Sequence, residues 1–328
     1  MDQYLKVNDT GARNDPLGRA QAASEALVQE KSALSLVENR DEAQAAIRRY
    51  LRTWRHGHLW VTDSLSNKSK RAPPPPTFEV LSPTSLVIRL PSFDASLAKA
   101  IAELLDRHRF ELESHENWIL DIRGGEGGSD DTYTPLLHWL MPDDWRSIGA
   151  EFLATPLNAD AHERVCREAH LPDGATEVLM RLAASIRGAK DGEFVRLEEE
   201  KQGFAAFCTV RDGRKRPARV AILADNNVGS SSEEFILTAR SSPLVRVFGQ
   251  RTAGVLDYSN CRPWPLPSGE RTLWYATSRS LRLPAHPVDG IGVVPDRHMP
   301  KPANQREKVA ELESVRRIIE REPDYWRT

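Results

Sequence analysis

The stretch that most constrains the chain is Gly229-Ser230-Ser231-Ser232-Glu233-Glu234-Phe235. The apolar run Arg219-Val220-Ala221-Ile222-Leu223-Ala224-Asp225 leads into it, and a helical pattern from Glu234 to Arg240 leads out. An apolar run, a Gly/Ser turn and a helix, in that order, place the first serine at a helix N-terminus. Unpaired amide N–H groups and the positive end of the helix dipole converge there, which favours negative charge. A serine so placed can attack a carbonyl while neighbouring amides hold the oxyanion. The same residues also make an ordinary cap, for which serine is a preferred type. Taken alone, the stretch leaves both readings open.

Size and charge narrow the classes. A chain of 328 residues buries a large core and fits one elaborated domain or two. Its 45 basic residues against 47 acidic ones give no general attraction to nucleic acid or anionic lipid. No apolar run approaches the roughly 20 residues needed to span a bilayer, so no membrane span is expected. Met1 to Arg19 is polar and lacks the apolar middle of a secretory leader. The literal expectation is a cytoplasmic protein, or a periplasmic or exported one if the start is incomplete. Cys166, Cys208 and Cys261 are scattered and odd in number, which gives neither a disulfide framework nor a zinc spacing.

The pattern along the chain predicts a boundary. Gly18 to Glu38 has good helix propensity. Asp41 is expected to cap a second helix whose Ala43, Ala46, Ile47, Tyr50, Leu51 and Trp54 share one apolar face, ending at His56-Gly57-His58. Leu59 to Thr62 reads as extended, and the polar stretch Ser64–Arg71 with Pro73–Pro76 reads as a stiff linker. This defines an N-terminal helical region, 1–72, and a second domain, 78–328. Within the latter, Phe78–Leu81, Leu86–Leu90 and Trp118–Ile122 read as strands, with an Asp94-capped helix carrying Leu97, Ile101, Leu104 and Leu105 between the last two. Gly124-Gly125-Glu126-Gly127-Gly128 then precedes a helix with Leu136, Leu137 and Leu140, an order that lets backbone approach a bound group closely. Residues 142–216 read as a largely helical insertion closed by the basic run Arg211–Arg216. Strands follow at Arg219–Asp225, Leu244–Phe248 and Thr272–Thr277, the last after turn-rich sequence, and a polar helix spans Asn304 to Glu322.

Several chemistries fall away. The glycine loop lacks the Gly-Lys-Ser/Thr ending of a phosphate loop. His56 and His58, two apart on a segment read as extended, offer half of a metal site, and no third ligand follows at suitable spacing. No cofactor and no metal is expected. A serine, histidine and carboxylate contributed by separate loops fits best.

The residues also carry a resemblance. Leu120-Asp121-Ile122-Arg123-Gly124-Gly125-Glu126-Gly127-Gly128, then Ser230–Phe235, Gly249-Gln250-Arg251-Thr252-Ala253-Gly254 and Gly292-Val293-Val294-Pro295-Asp296 stand in the order of the tail-specific, or C-terminal processing, serine proteases. Resemblance to that family implies a crotonase-like α/β core, a spiral of strand–strand–helix units, here with a helical N-terminal region and a helical insertion. It places the nucleophile on Ser230. The lysine base of the processing enzymes would fall near Val255-Leu256, where no lysine stands. The chain is more similar to the tricorn-core branch, which implies His58 as base and Asp289 as the acid. Asp289 is one methylene shorter than the glutamate more usual at that position. The Ser231 and Gly127 amides would form the oxyanion hole, with Glu233 and Thr252 in support.

The resemblance implies a serine endopeptidase acting on peptides or unfolded protein tails bound extended beside a core strand. No PDZ-like module is recognisable between His58 and Phe78, which leaves recognition to the core, the insertion or a homo-oligomer. Two other classes share the motifs: a non-catalytic ligand- or peptide-binding module on the same fold, and an acyl-CoA enzyme of the crotonase-like superfamily.

Overall fold

The computed structural model describes residues 1–13, 15, 16, 18–34, 39–63, 72–168, 175–196, 204–208 and 215–326. The expected linker Ser64–Arg71, the end of the first helix after Leu34 and most of the basic run from Arg211 lie outside them. The chain divides into two compact units. One comprises residues 1–69, 148–206 and 257–287; the other comprises 70–147, 207–256 and 288–328.

The second unit is built on a six-stranded sheet. In spatial order its strands are Arg297–His298, Val245–Gly249, Arg219–Ala224, Asn117–Asp121, Ser85–Arg89 and Thr77–Ser82. All neighbours are parallel except the last pair. Parallel strands are covered on both faces, which is why they read as unbroken apolar runs. Alternation along each strand then separates two cores. Leu86, Ile88, Trp118, Leu120, Val220, Ile222, Val245 and Val247 face the helices Ala98–Arg107, Asp130–Leu140 and Ser231–Ala239. Val87, Ile119, Ala221, Leu223 and Phe248 face Leu312, Val315 and Ile319 of the helix Gln305–Arg321, together with Trp326. Asp94 accepts from the Ser96 amide at 3.0 Å, capping the short 3-10 turn Ala95–Leu97 that runs into the helix Ala98–Arg107.

The register sets up the site. Leu120 pairs with Ile222 and Asp121 with Leu223, while Leu223 pairs with Phe248 on the other side. Because these three strands run parallel and in step, the loops after Asp121, Ala224 and Gly249 all leave the same rim of the sheet. That rim, beyond the carboxyl ends of the strands, is where open α/β sheets hold ligands.

The first unit is a helix-backed antiparallel sheet. Its path runs Trp60–Asp63, Arg271–Ser280, Ala150–Leu153, Phe194–Val195, with Tyr258–Pro265 also paired to Arg271–Ser280. Leu5, Ala23, Tyr50, Leu51 and Trp54 from three helices pack on Leu59, Val61, Leu273 and Tyr275. The helices Pro156–Glu168 and Ala175–Gly188 pack on Phe152. The helix Arg40–Trp54 is capped by Asn39, whose side chain accepts from the Glu42 amide at 3.0 Å, and not by Asp41, which lies in the first turn. Residues 142–216 contain strands as well as helices, and the turn-rich sequence after Gly254 contains the strand Tyr258–Pro265. Pro263 and Pro265 disguised that strand, since proline in a run lowers the strand signal. Among the described residues, no helix is long and apolar enough to cross a membrane.

A buried ion pair organises this unit. Arg55 donates to both oxygens of Asp9, at 2.5 and 2.6 Å, with both side chains almost wholly buried. Asp9 also accepts from the amides of Gly11, Ala12 and Ala276. Removing one member strands a buried charge, which costs about 3–5 kcal/mol. Asp9→Ala is therefore expected to lower unfolding stability by that amount in urea titration, far more than loss of the exposed pair Lys99–Glu103.

Candidate active site

The serine turn adopts a conformation that L-residues avoid. Ser230 has φ 57° and ψ −130° and immediately precedes the helix Ser231–Ala239. A positive φ at a non-glycine residue costs free energy and persists only where surrounding contacts enforce it. Those contacts converge on Glu233. Its Oε1 accepts from the Thr252 hydroxyl at 2.5 Å and the Gly254 amide at 2.8 Å. Its Oε2 accepts from the Val255 amide at 2.9 Å and the Ser230 amide at 3.3 Å. Glu233 is fully buried. Burial raises its carboxyl above the ordinary value, against the opposing pull of these donors.

Further bonds lock the neighbouring loops to this turn. The Ser230 amide also donates to the Val255 carbonyl at 3.2 Å, and the Ala253 amide to Val228 at 2.8 Å. The Thr252 hydroxyl accepts from the Val293 amide at 2.6 Å, joining the Gly292–Asp296 motif to the same cluster. Asp289 accepts from the Leu256 amide at 2.6 Å, and Gly290 donates to the Gly254 carbonyl. On the other side, Gly229 donates to the Gly125 carbonyl at 3.0 Å. Asp225 Oδ1 accepts from the amides of Gly124 and Asn227, both at 3.0 Å, fastening the glycine loop to the loop that carries the serine.

Gly127 is the point of closest approach. It has φ 104°, and a methyl group there would lie 2.6 Å from Ser230 Cβ and 3.1 Å from Ser230 Oγ. Only glycine allows the backbone to sit against the serine in this way. Its carbonyl is turned away, accepting from the Phe93 amide at 3.1 Å. Neither the Gly127 amide nor the Ser231 amide donates to a protein acceptor among the described residues. The Ser231 amide is at the first position of its helix, where no intrahelical acceptor exists.

The second unit thus brings together Ser230, Ser231, Gly127, Glu233 and Thr252, with Asp289 bonded one residue beyond Val255. His58 belongs to the first unit. It lies in a bend with φ 53°, not on an extended segment, so His56 and His58 do not share a strand face. Arg55 shapes this bend, donating to the carbonyls of Gly57 at 2.9 Å and His58 at 2.8 Å. His58 Nδ1 is 2.5 Å from the Tyr258 carbonyl oxygen, an acceptor only, which assigns the proton to Nδ1. Burial, then the Arg55 charge, lower His58 to about 4.

Sequence reasoning passed over Arg55 and Asp225. Each had a signal: Arg55 in the glycine-punctuated Arg-His-Gly-His, and Asp225 at the turn after an apolar strand, where aspartate bonds its own backbone. Among the described residues, no group of three or more His, Cys, Asp or Glu side chains is disposed to hold a metal ion.

A mixed α/β chain with a serine at a helix start, pressed against a glycine loop, falls in the class of serine hydrolases. The sequence profile of peptidase family S41 matches residues 85–299. The chain belongs to that family and is a serine peptidase. No curated protein matches it in sequence. Among solved structures, a candidate peptidase from Parabacteroides merdae superposes with a TM-score of 0.59 at 13% identity, covering 96% of this chain and 92% of that one. A lipoprotein from Streptococcus agalactiae gives 0.54 at 14%, covering 95% and 93%. Mature CPAF complexed with lactacystin gives 0.50 at 15%, covering 74% and 52%. At these identities the likeness is one of fold.

Two measurements probe this geometry. Glu233→Ala leaves buried amide and hydroxyl donors without an acceptor and is expected to cost about 3 kcal/mol of unfolding stability in urea titration. For His58, a lowered folded value means that the unfolded chain takes up the proton first as the pH falls through 6.5. Its contribution to stability is complete above 6.5 and is lost progressively toward 4. Between pH 7 and 4, wild type should lose roughly 3 kcal/mol more than His58→Asn, a residue that tolerates positive φ.

Proposed function

We propose that the chain is an endopeptidase in which Ser230 is the nucleophile, His58 the general base and Asp289 the third member, an electrostatic support. The observation that carries this reading is the strained Ser230 between two unengaged amides, those of Ser231 and Gly127. A capping serine has no need of a positive φ, whereas a nucleophile on a tight strand-to-helix turn gains exposure from it. The two amides would hold the oxyanion of the tetrahedral intermediate, where each such donor is worth about 10²–10³ in rate. Glu233 and Thr252 would fix the turn and take no proton.

His58 would accept the Ser230 proton at Nε2 and return it to the leaving amine. Its low value keeps it neutral throughout the physiological range, so the base form needs no titration. That same value makes the imidazolium costly, and the work of Asp289 would be to support it. With histidine as base and no lysine after Thr252-Ala253-Gly254, the chain sits with the tricorn-core branch of its family. The substrate would be a peptide or unfolded protein tail, held extended through backbone pairing. No cofactor enters the scheme.

A fluorophosphonate probe tests the assignment. Wild type should label and should cleave an unfolded protein such as reduced, alkylated casein. Ser230→Ala should abolish both, and His58→Ala should reduce labelling by about 10³-fold or more. Labelling that persists in Ser230→Ala, or that is unchanged in His58→Ala, would sink it.

A further inference from the structure

The arginine three residues before His58 reaches beyond its buried ion pair. Arg55 is the C-terminal cap of the helix Arg40–Trp54. Its Nη1 and Nη2 bond to Asp9, while Nε donates to the Gly57 carbonyl at 2.9 Å and Nη2 to the His58 carbonyl at 2.8 Å. Those two carbonyls belong to the peptide units on either side of the His58 α-carbon, so one rigid group fixes both. His58 has φ 53°, a torsion that persists in a non-glycine residue only where its surroundings enforce it. The same guanidinium carbon lies 5.5 Å from the centroid of the Tyr258 ring. Tyr258 in turn supplies the carbonyl that accepts from His58 Nδ1. Arg55 therefore meets both the backbone that carries the imidazole and the residue that orients it.

The support behind Arg55 is equally fixed. Asp9 accepts from the amides of Gly11, Ala12 and Ala276, and the Thr10 amide donates to the Ala276 carbonyl at 3.1 Å. These bonds fasten the N-terminal segment to the central strand Arg271–Ser280. Gly11 leaves just enough room: a methyl group there would collide with Arg55 Nη1 and lie 3.3 Å from Arg55 Cζ. All of these residues belong to the first unit.

We propose that Arg55 is a positioning residue for the reaction, its fork locked by Asp9 and the turn at Gly11 so that the His58 imidazole keeps one orientation. The proposal rests on the His58 reading and deepens it. The fork matters here more than the charge. A lysine would keep a positive charge beside Asp9, but its single ammonium cannot span two carboxylate oxygens and two carbonyls at once. A base whose supports are slack reacts less often from the productive geometry, and a misplacement of about 1 Å costs about 10²-fold in rate.

The test compares full-length Arg55→Lys with wild type by fluorophosphonate labelling and by kcat and KM on an internally quenched peptide. The extent of labelling counts folded sites; its rate constant, and kcat per labelled site, report the base. Arg55→Lys should label fully, with the rate constant and kcat per site both about 10²-fold lower and KM little changed. Nitrogen NMR of labelled histidine should show the His58 ring in the Nδ1–H form in wild type and in a mixture of both neutral forms in Arg55→Lys. A merely structural role would lower the extent of labelling and the unfolding midpoint while leaving the rate constant and the ring form unchanged; that result overturns the proposal. If Arg55→Lys does not fold, Gly11→Ala decides by the same readouts, since its methyl group displaces the guanidinium and leaves every charge in place. His58→Ala run alongside separates the two claims. If it labels at the wild-type rate, the base assignment has failed; if it labels slowly while Arg55→Lys matches wild type, only the role of Arg55 has failed.

Discussion

A single carboxylate holds the serine turn in shape. Glu233 is sealed from water and receives a hydroxyl and three amides, drawn from its own helix start and from the turn 252–255. The Thr252 and Gly254 donors are buried, so the network is costly to leave incomplete and narrow in the geometry it accepts. Thr252 extends the constraint to the Gly292–Asp296 motif through the Val293 amide. The backbone at Ser230 is unfavourable in isolation; it persists because four separate donors fix the atoms on either side of it.

The sheet supplies the coarse alignment that this network refines. Parallel strands in register deliver three loops to one rim, and the remaining adjustments are of the length of a hydrogen bond. Asp225 performs the same service on the opposite side, tying Gly124 to the loop that carries the serine. The candidate site is therefore a consequence of strand order. A change of register by one residue at Asn117–Asp121 would move the glycine loop away from Ser230 and turn Trp118 and Leu120 out of their core.

Much of the second unit was legible because its strands are buried on both faces and its glycines sit where close approach demands them. The runs at Leu86, Trp118, Val220 and Val245, and the helix after Ser230, announce themselves by composition alone. Glu233 and Thr252 bond directly to each other, and Glu233 to the Gly254 amide. The first unit was harder to read. Its sheet is assembled from segments far apart in the chain, Trp60–Asp63 with Arg271–Ser280 and Ala150–Leu153, and long-range pairing leaves no local pattern. Prolines hid Tyr258–Pro265, whose first residue supplies the carbonyl that orients the His58 ring.

The torsion at Ser230 has an evolutionary corollary. Glycine adopts φ 57° and ψ −130° without a steric penalty, so a glycine there would relax the turn while deleting the hydroxyl. A lineage filtered only for a longer-lived fold would drift to that residue. A serine at this place therefore keeps its oxygen at the cost of a less restful backbone.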